Sequence, residues 1–490
     1  MRASNKLTGP VRDLLSREQA PPFRAGGPRV GLVHPTPYKA AMASLGYQWI
    51  LSLLRDAGLS AERIFLPEDM AGHLREKVPA FSLESFTPAS SFPILAVSMA
   101  YELELADLIR LLDLSGIPPL RADRGPDDPV ILLGGPITWS NPHVLAPFVD
   151  AMLLGEADHT VVPAVSALFN TADRGAWLQA VAALPGGYVP ELHGLALPQV
   201  AQAPDDLLPA RSFILTPDSA LPNMFLVEGE RGCHRTCTFC VMRRQTGGGM
   251  RVVPPEKILS LVPPHATKVG LVGAGISDHP ELVPLLQSLR DRGLGVGVSS
   301  LRADRIVRRP ELARVLREAG SRTLTVASDA ASGRLRQTLA KGIREDHLIQ
   351  TARLSRELGY EVLKVYMMLG LPGETDEDLD ELVRFTRELS GYARVALGVA
   401  PFVAKRHTPL DGAPFAGIKL VEQRLKRLQI GLRGKAEVRA VSARWAWVEY
   451  MLAQGGEAQG LAVLEAVRAG GRFTHFKRAL EATSLPKPPG

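Results

Sequence analysis

Cysteine is almost missing from this sequence. Its 490 residues hold three, all between positions 233 and 240. An odd, clustered count excludes a disulfide framework and points to a metal site in a reducing compartment. Long apolar runs are missing too, so no segment reads as a transmembrane helix. The opening MRASNKLTGPVRDLLSREQ carries basic residues with no apolar stretch behind them, which is not the pattern of a secretory signal. A cytoplasmic, membrane-free protein is expected. Nor is there a block of like charge. Fifty-seven Lys and Arg stand against 51 Asp and Glu, a dispersed excess of +6. That favours a solvated surface over a nucleic-acid partner, which stays open but less favoured.

What is abundant is punctuation. Thirty-nine prolines and 45 glycines imply many short elements, within a composition of 46% hydrophobic and 22% charged residues that is ordinary for globular chains. The length suggests two or three domains. Residues 1–28 read as a polar arm. Strand-like runs at 29–35, 92–99, 129–135 and 150–156 alternate with helical patterns at about 40–57 and 102–114. This predicts an α/β, doubly wound domain over 29–170. Residues 171–222, rich in proline, read as a connector. A second alternation fills 223–405, with strand-like runs at 224–230, 268–274, 294–300, 323–328, 362–369 and 394–400. Helices are expected between them at 278–292, 310–319, 331–340, 344–358 and 376–390. The last has Thr375 as N-cap, Asp378 as its capping-box partner and Gly391 as its stop. Six βα units fit a partial (β/α)6 barrel. Residues 406–490 read as a helical C-terminal extension, with helices at 419–433, 439–454, 457–469 and 473–482 and a disordered PKPPG tail.

The cysteines form Gly232-Cys233-His234-Arg235-Thr236-Cys237-Thr238-Phe239-Cys240, a C-x₃-C-x₂-C spacing just after the first barrel strand. Thiolates select iron–sulfur clusters or zinc, and both commonly want four ligands. With three thiolates a cubane keeps one iron open for a small ligand bearing an amine and a carboxylate. Structural zinc normally uses two ligand pairs, and the second pair is lacking. His234, adjacent to Cys233, is badly placed to share its metal.

This motif, with Phe239 as the aromatic before the last cysteine, resembles the signature of radical S-adenosylmethionine (SAM) enzymes. The resemblance implies a 4Fe–4S cluster on Cys233, Cys237 and Cys240. It also implies SAM on the open iron and reductive cleavage to methionine and a 5′-deoxyadenosyl radical. A reducing electron donor such as flavodoxin or ferredoxin is implied as well. Further positions match by order along the barrel. Gly273, Ala274 and Gly275 stand where the family has a glycine-rich turn near the SAM amino group. Ser299, Ser300 and Arg302 look like a polar strand end for ribose or carboxylate. Asp329 stands where relatives often carry glutamate. Lys364 is placed to neutralise the carboxylate, and Gly370-Leu371-Pro372-Gly373-Glu374 closes the fifth strand. Each has a plainer reading: turn glycines, helix-capping serines, and a surface lysine on an alternating strand.

The N-terminal pattern resembles the cobalamin-binding domain that precedes many such barrels, in 32–48, 81–85, 97–119, 132–158 and, beyond the barrel, 401–412. Gly134, Gly135, Gly155 and Glu156 are the candidate cofactor contacts, since glycines after a strand let backbone approach a flat cofactor. The cobalt-ligating D-x-H-x-x-G pattern is absent, and His34 stands after the first strand in a different context. Together these imply a cobalamin-dependent methyltransferase acting on an unactivated carbon of a small-molecule or peptide substrate. The alternatives are a cobalamin-free enzyme abstracting hydrogen from a peptide, metabolite or RNA, or a non-catalytic Fe–S or RNA-binding adaptor. Methylthio transfer, as in the tRNA-modifying relatives, is disfavoured because their second cluster needs three more cysteines.

Overall fold

The computed structural model describes residues 5–242 and 249–486. They form two compact units: Met1–Phe225 with Gly455–Pro486, and Leu226–Gln454.

The first unit is built on β1 (Arg29–His34), β2 (Ser60–Phe65), β3 (Ile94–Ser98), β4 (Val130–Gly134), β5 (Ala151–Leu153) and β6 (Gly187–Tyr188), in the order β2-β1-β3-β4-β5-β6. All pairings are parallel except β5 with β6. β1, β3, β4 and β5 read as near-continuous apolar runs because helices bury both faces of such a sheet, whereas β2 is not legible as a strand because its buried Glu62 and Arg63 interrupt the apolar pattern. Between β1 and β3 the chain direction of strand addition reverses, which opens a crevice at their carboxyl ends. The helical pattern from Ala40 is broken in two, a turn at Tyr38–Ala41 and a helix at Leu45–Asp56. Ser44 caps the second piece by accepting from the Tyr47 N–H.

The residues expected as an arm contain the helix Asn5–Arg17, despite Gly9 and Pro10. Its Leu7, Val11 and Leu14 pack on the unit, and at its end Glu18 takes both prongs of the Arg63 guanidinium (2.6 and 2.8 Å). The expected connector is also partly core. It supplies β6 and the helix Arg174–Ala182, whose buried Trp177 donates to the Ala164 carbonyl at 2.9 Å.

The second unit contains β7 (Met224–Glu228), a short antiparallel hairpin of β8 (Glu230–Gly232) and β9 (Met250–Val252), then β10 (Lys268–Val272), β11 (Gly295–Val298), β12 (Thr323–Ala327), β13 (Val362–Leu369), β14 (Val395–Pro401) and β15 (Ala436–Ala440). Two sheets, β11-β10-β7 and β12-β13-β14-β15, meet through the parallel bridge Leu301–Val326, where the Leu301 N–H donates to the Thr325 carbonyl. Among the described residues the partial barrel therefore has seven strands rather than six. The seventh corrects the helical reading of 439–454. It is an exposed edge on which Glu437 and Arg439 pair, and the helix begins only at Ala443. On β13, Leu363, Val365, Met367 and Leu369 are buried, whereas Lys364, Tyr366 and Met368 on the other face are not. The capping box of helix Asp376–Ser390 is present, with the Thr375 N–H donating to Asp378 Oδ2 at 2.8 Å.

The C-terminal helices divide. Ile418–Gly431 and Ala443–Ala453 belong to the second unit, whereas Glu457–Arg468 and Phe473–Glu481 complete the first. Residues 487–490 of the tail lie outside the described residues.

Candidate active site

β8 delivers the chain straight into the cysteine loop. Cys237 is buried, Cys233 and Cys240 are half-buried, and all three thiols are free. Burial chiefly, and then their mutual proximity, raise the Cys233 and Cys240 thiols above their ordinary range. The loop is pinned from several sides. The Arg235 N–H donates to Cys233 Sγ at 3.4 Å, and its guanidinium grips Asp278 with two bonds of 2.6 and 2.8 Å. The Thr238 N–H donates to the Leu339 carbonyl, and the Thr238 carbonyl accepts from the Leu410 N–H. Phe239 is half-buried. No three His, Cys, Asp or Glu side chains among the described residues gather tightly enough for a single ion.

The glycine turn lies against this loop. Gly275 is close enough that a Cβ there would stand 3.7 Å from Cys233 Sγ and 3.8 Å from Glu230 Oε1. At Gly273 a Cβ would collide with Glu230 Oε1, so a larger residue here would have to displace the Glu230 side chain. Ala274 is exposed. Glu230 is 1% exposed; its Oε1 accepts from the Gly275 N–H at 2.6 Å, while its buried Oε2 has no partner among the described residues. Burial pushes this carboxyl up to about 7, helped by Glu228 and Asp278. A buried carboxylate oxygen without a donor, beside the thiols, fits a cationic ligand better than an empty corner.

Other positions divide by what already occupies them. Ser299 is exposed and Ser300 half-exposed at the end of β11. Arg302 is spent on Asp304 and on the Lys341 carbonyl, both at 2.9 Å. Asp329 has a left-handed backbone (φ 64) and an ion pair with Lys341, whose charge reaches Cys240. Lys364 donates to the Tyr366 hydroxyl at 3.0 Å and sits over its ring, with no contact to the thiols shown. Sequence reasoning missed Glu230, Asp278, Arg305 and Lys341. The one local signal was a pair of acidic residues, Glu228 and Glu230, at the end of an apolar strand run.

Two comparisons bear on this site. Residues 46–190 match the N-terminal domain of radical SAM proteins, and residues 228–386, which contain all three cysteines, match the radical SAM superfamily itself. The chain belongs to the radical SAM superfamily. A radical SAM enzyme works with a 4Fe–4S cluster and SAM, and needs an electron donor and a substrate. No helix among the described residues is long and apolar enough to cross a membrane.

This radical SAM enzyme is 28% identical over 392 residues to an uncharacterized protein of Methanocaldococcus jannaschii, covering 76% of this chain and 81% of the relative. It is 23% identical to an uncharacterized methyltransferase of Pyrococcus horikoshii, over 54% of this chain and 60% of the other. Among solved structures, its fold is similar to the radical SAM methyltransferase TsrM from Kitasatospora setae, solved with cobalamin and a [4Fe–4S] cluster. There the TM-score is 0.57 at 17% identity, over 81% of this chain and 75% of that one. It is also similar to the cobalamin-dependent enzyme OxsB, solved with aqua-cobalamin and SAM. That TM-score is 0.51 at 15% identity, over 83% of this chain and 56% of OxsB.

In the first unit, the carboxyl ends of β1, β4 and β5 carry the other candidate residues. His34 is buried, with Nδ1 3.0 Å from the Thr36 hydroxyl; burial lowers its pKa to about 4, so the ring is neutral. A Cβ on Gly135 (φ 106) would strike the Met99 backbone, and one on Gly155 (φ 97) would meet the Ala201 carbonyl at 2.5 Å. Both close approaches are thus to the unit's own chain. Glu156 accepts from the Ala203 N–H at 2.9 Å. Gly134 has only the Leu153 carbonyl nearby, at 3.9 Å. Just beyond Glu156, His159 Nδ1 and Thr160 Oγ1 are buried with no partner among the described residues.

Also at this edge, Glu104 is 4% exposed and accepts from the Ala100 N–H at 2.6 Å. Burial raises its carboxyl from 4.5 to about 7, so the folded unit favours the protonated form. The contribution of Glu104 to stability is therefore full below pH 4.5 and declines by about 3 kcal/mol as pH rises to 7, opposite in sense to that of the buried neutral His34, which is lost as pH falls from 6.5 toward 4. Glu104→Gln is expected to abolish that decline. Urea unfolding at pH 5 and pH 8 checks it: a variant as pH-sensitive as the parent would remove Glu104 as the cause.

Proposed function

We propose that this protein is a cobalamin-dependent radical SAM methyltransferase acting on an unactivated carbon. The observation that carries the reading is one chain holding both a cysteine-loop barrel and a doubly wound N-terminal unit, the combination of folds shared with TsrM and OxsB. Support in the first unit comes from the crevice between β1 and β3, the neutral His34, the open side of Gly134, and the unpartnered His159 and Thr160 atoms.

Loaded with its cofactors, such an enzyme draws a 5′-deoxyadenosyl radical from the cluster and SAM, and a transferable methyl group from cobalamin. The chain's own residues bind and orient. Cys233, Cys237 and Cys240 hold the cluster. Glu230 and the Gly273–Gly275 turn receive the ammonium of SAM, with Glu230 Oε2 as the free acceptor. Ser299 and Ser300 offer hydroxyls at the end of β11. Lys341, already paired with Asp329, brings positive charge toward Cys240. Lys364 and Tyr366, on the less buried face of β13, are the side chains this reading assigns to substrate.

The basic residues that would favour an RNA-binding adaptor, at 405–407 and 424–427, are largely engaged in ion pairs. Lys405 pairs with Glu449, Arg406 with Asp411, Arg424 with Glu374, and Arg427 with Asp376 and Asp380.

Anaerobic reconstitution with iron, sulfide and hydroxocobalamin tests the proposal. The expected result is cobalamin co-eluting with the cluster and label from methyl-labelled SAM appearing on it. A cluster that cleaves SAM without retaining cobalamin would replace this reading with the cobalamin-free hydrogen-abstracting enzyme.

A further inference from the structure

Asp278 closes the turn that follows the glycines of β10, and its side chain is 1% exposed. Two half-buried guanidiniums converge on this one carboxylate. Arg235 reaches it from inside the cysteine loop through two bonds, and Arg305 from the helix Ala303–Arg308 that follows β11. His234 Nε2 stands 3.7 Å away. The preceding residue repeats the tie: Ser277 Oγ accepts from the Arg302 N–H at 2.9 Å, and its carbonyl accepts from Arg309. Two adjacent residues thus fasten together the cysteine loop, the glycine turn and the connection after β11.

The same residues are electrically unbalanced, with two cations on one buried anion. Asp278 and Arg235 both lie close enough to Cys233 for their charges to act on it, and the Arg235 N–H already donates to that sulfur. Reduction potentials of iron–sulfur clusters follow nearby charge and hydrogen bonds to sulfur. Reduction adds a negative charge, so neighbouring cations favour it and anions oppose it.

We infer that Asp278, acting through Arg235 and Arg305, is a positioning residue that fixes the cysteine loop and sets the reduction potential of the cluster it carries. The inference rests on the cysteines binding a cluster. One nearby charge in a half-buried setting is worth about tenfold in an equilibrium. Removing the anion should ease reduction, and removing a cation should impede it.

The test is an anaerobic redox titration of the reconstituted full chain, followed by the electron paramagnetic resonance of the reduced cluster, with iron and sulfide content measured in parallel. Asp278→Asn is expected to raise the reduced-to-oxidised ratio at fixed potential about tenfold, a shift of about 59 mV for one electron. Arg305→Gln is expected to lower it comparably. A variant that loses iron with unchanged circular dichroism would support the positioning role directly. Fully loaded variants with the parent's potential, or shifts of the same sign, would overturn the inference. A parent that takes up no cluster would instead fail the reading of the cysteine loop.

Discussion

Cys237→Ala is expected to give a folded protein that retains no cluster and cleaves SAM at least about 10³-fold more slowly than the parent. Cys237 is the most buried of the three cysteines, at 9% exposure, and the sequence has no fourth to replace it. A cubane held by two thiolates has two open irons and is lost on desalting. Folding should survive, because removing one sulfur from a small buried side chain costs on the order of 1 kcal/mol. The loop also keeps its Thr238 and Arg235 anchors. Iron and sulfide analysis, the visible absorption of the cluster and the yield of 5′-deoxyadenosine read the result. His234→Ala is the control, since that ring is 43% exposed and holds no position that a ligand needs. Iron content in Cys237→Ala equal to the control would sink the assignment.

Glu230→Ala should separate the two cofactors: cluster content unchanged, affinity for SAM reduced about 10- to 100-fold. A hydrogen bond to a charged group contributes about 1.5–3 kcal/mol, which sets that range. Alanine removes the acceptor of the Gly275 N–H together with the unpartnered Oε2. Glu230→Gln keeps an acceptor for Gly275 but not the negative charge. If glutamine binds SAM as weakly as alanine, charge is what matters. If glutamine behaves as the parent, Glu230 only shapes the turn. Equilibrium binding of SAM to the oxidised, reconstituted protein distinguishes these cases without turnover.

What the sequence revealed was whatever depends on neighbours in the chain. The C-x₃-C-x₂-C spacing, the alternation of strands and helices, and the Thr375–Asp378 capping box are local patterns, and each appears in the fold. What it hid depends on partners far apart. Glu230 meets Gly275 across 45 positions and Arg235 meets Asp278 across 43, so neither contact leaves a mark in either segment alone. Local breakers also misled. Gly9 and Pro10 disguised the first helix, which is held by packing and by the buried Arg63–Glu18 pair rather than by propensity. β15 looked helical because an exposed edge strand five residues long offers little periodicity, and a true helix follows within three residues.

The return of the last two helices to the first unit bears on how the chain is made. Gly460 lies so near Val144 that any larger residue would strike its carbonyl, and Asn141 donates to the Gly455 carbonyl at 2.9 Å. Val463, Leu464 and Ala466 are buried in the same unit. These residues leave the ribosome roughly 230 positions after the first part of their own unit, a delay of about 10 to 50 s at ordinary elongation rates. Through that interval the helix Glu104–Leu114 and the turn His143–Phe148 must wait without the helix that packs on them, while the entire barrel is synthesised and is free to fold first. Chaperone demand during translation should therefore peak late, and a stalled or shortened message would release a sticky fragment rather than a working half.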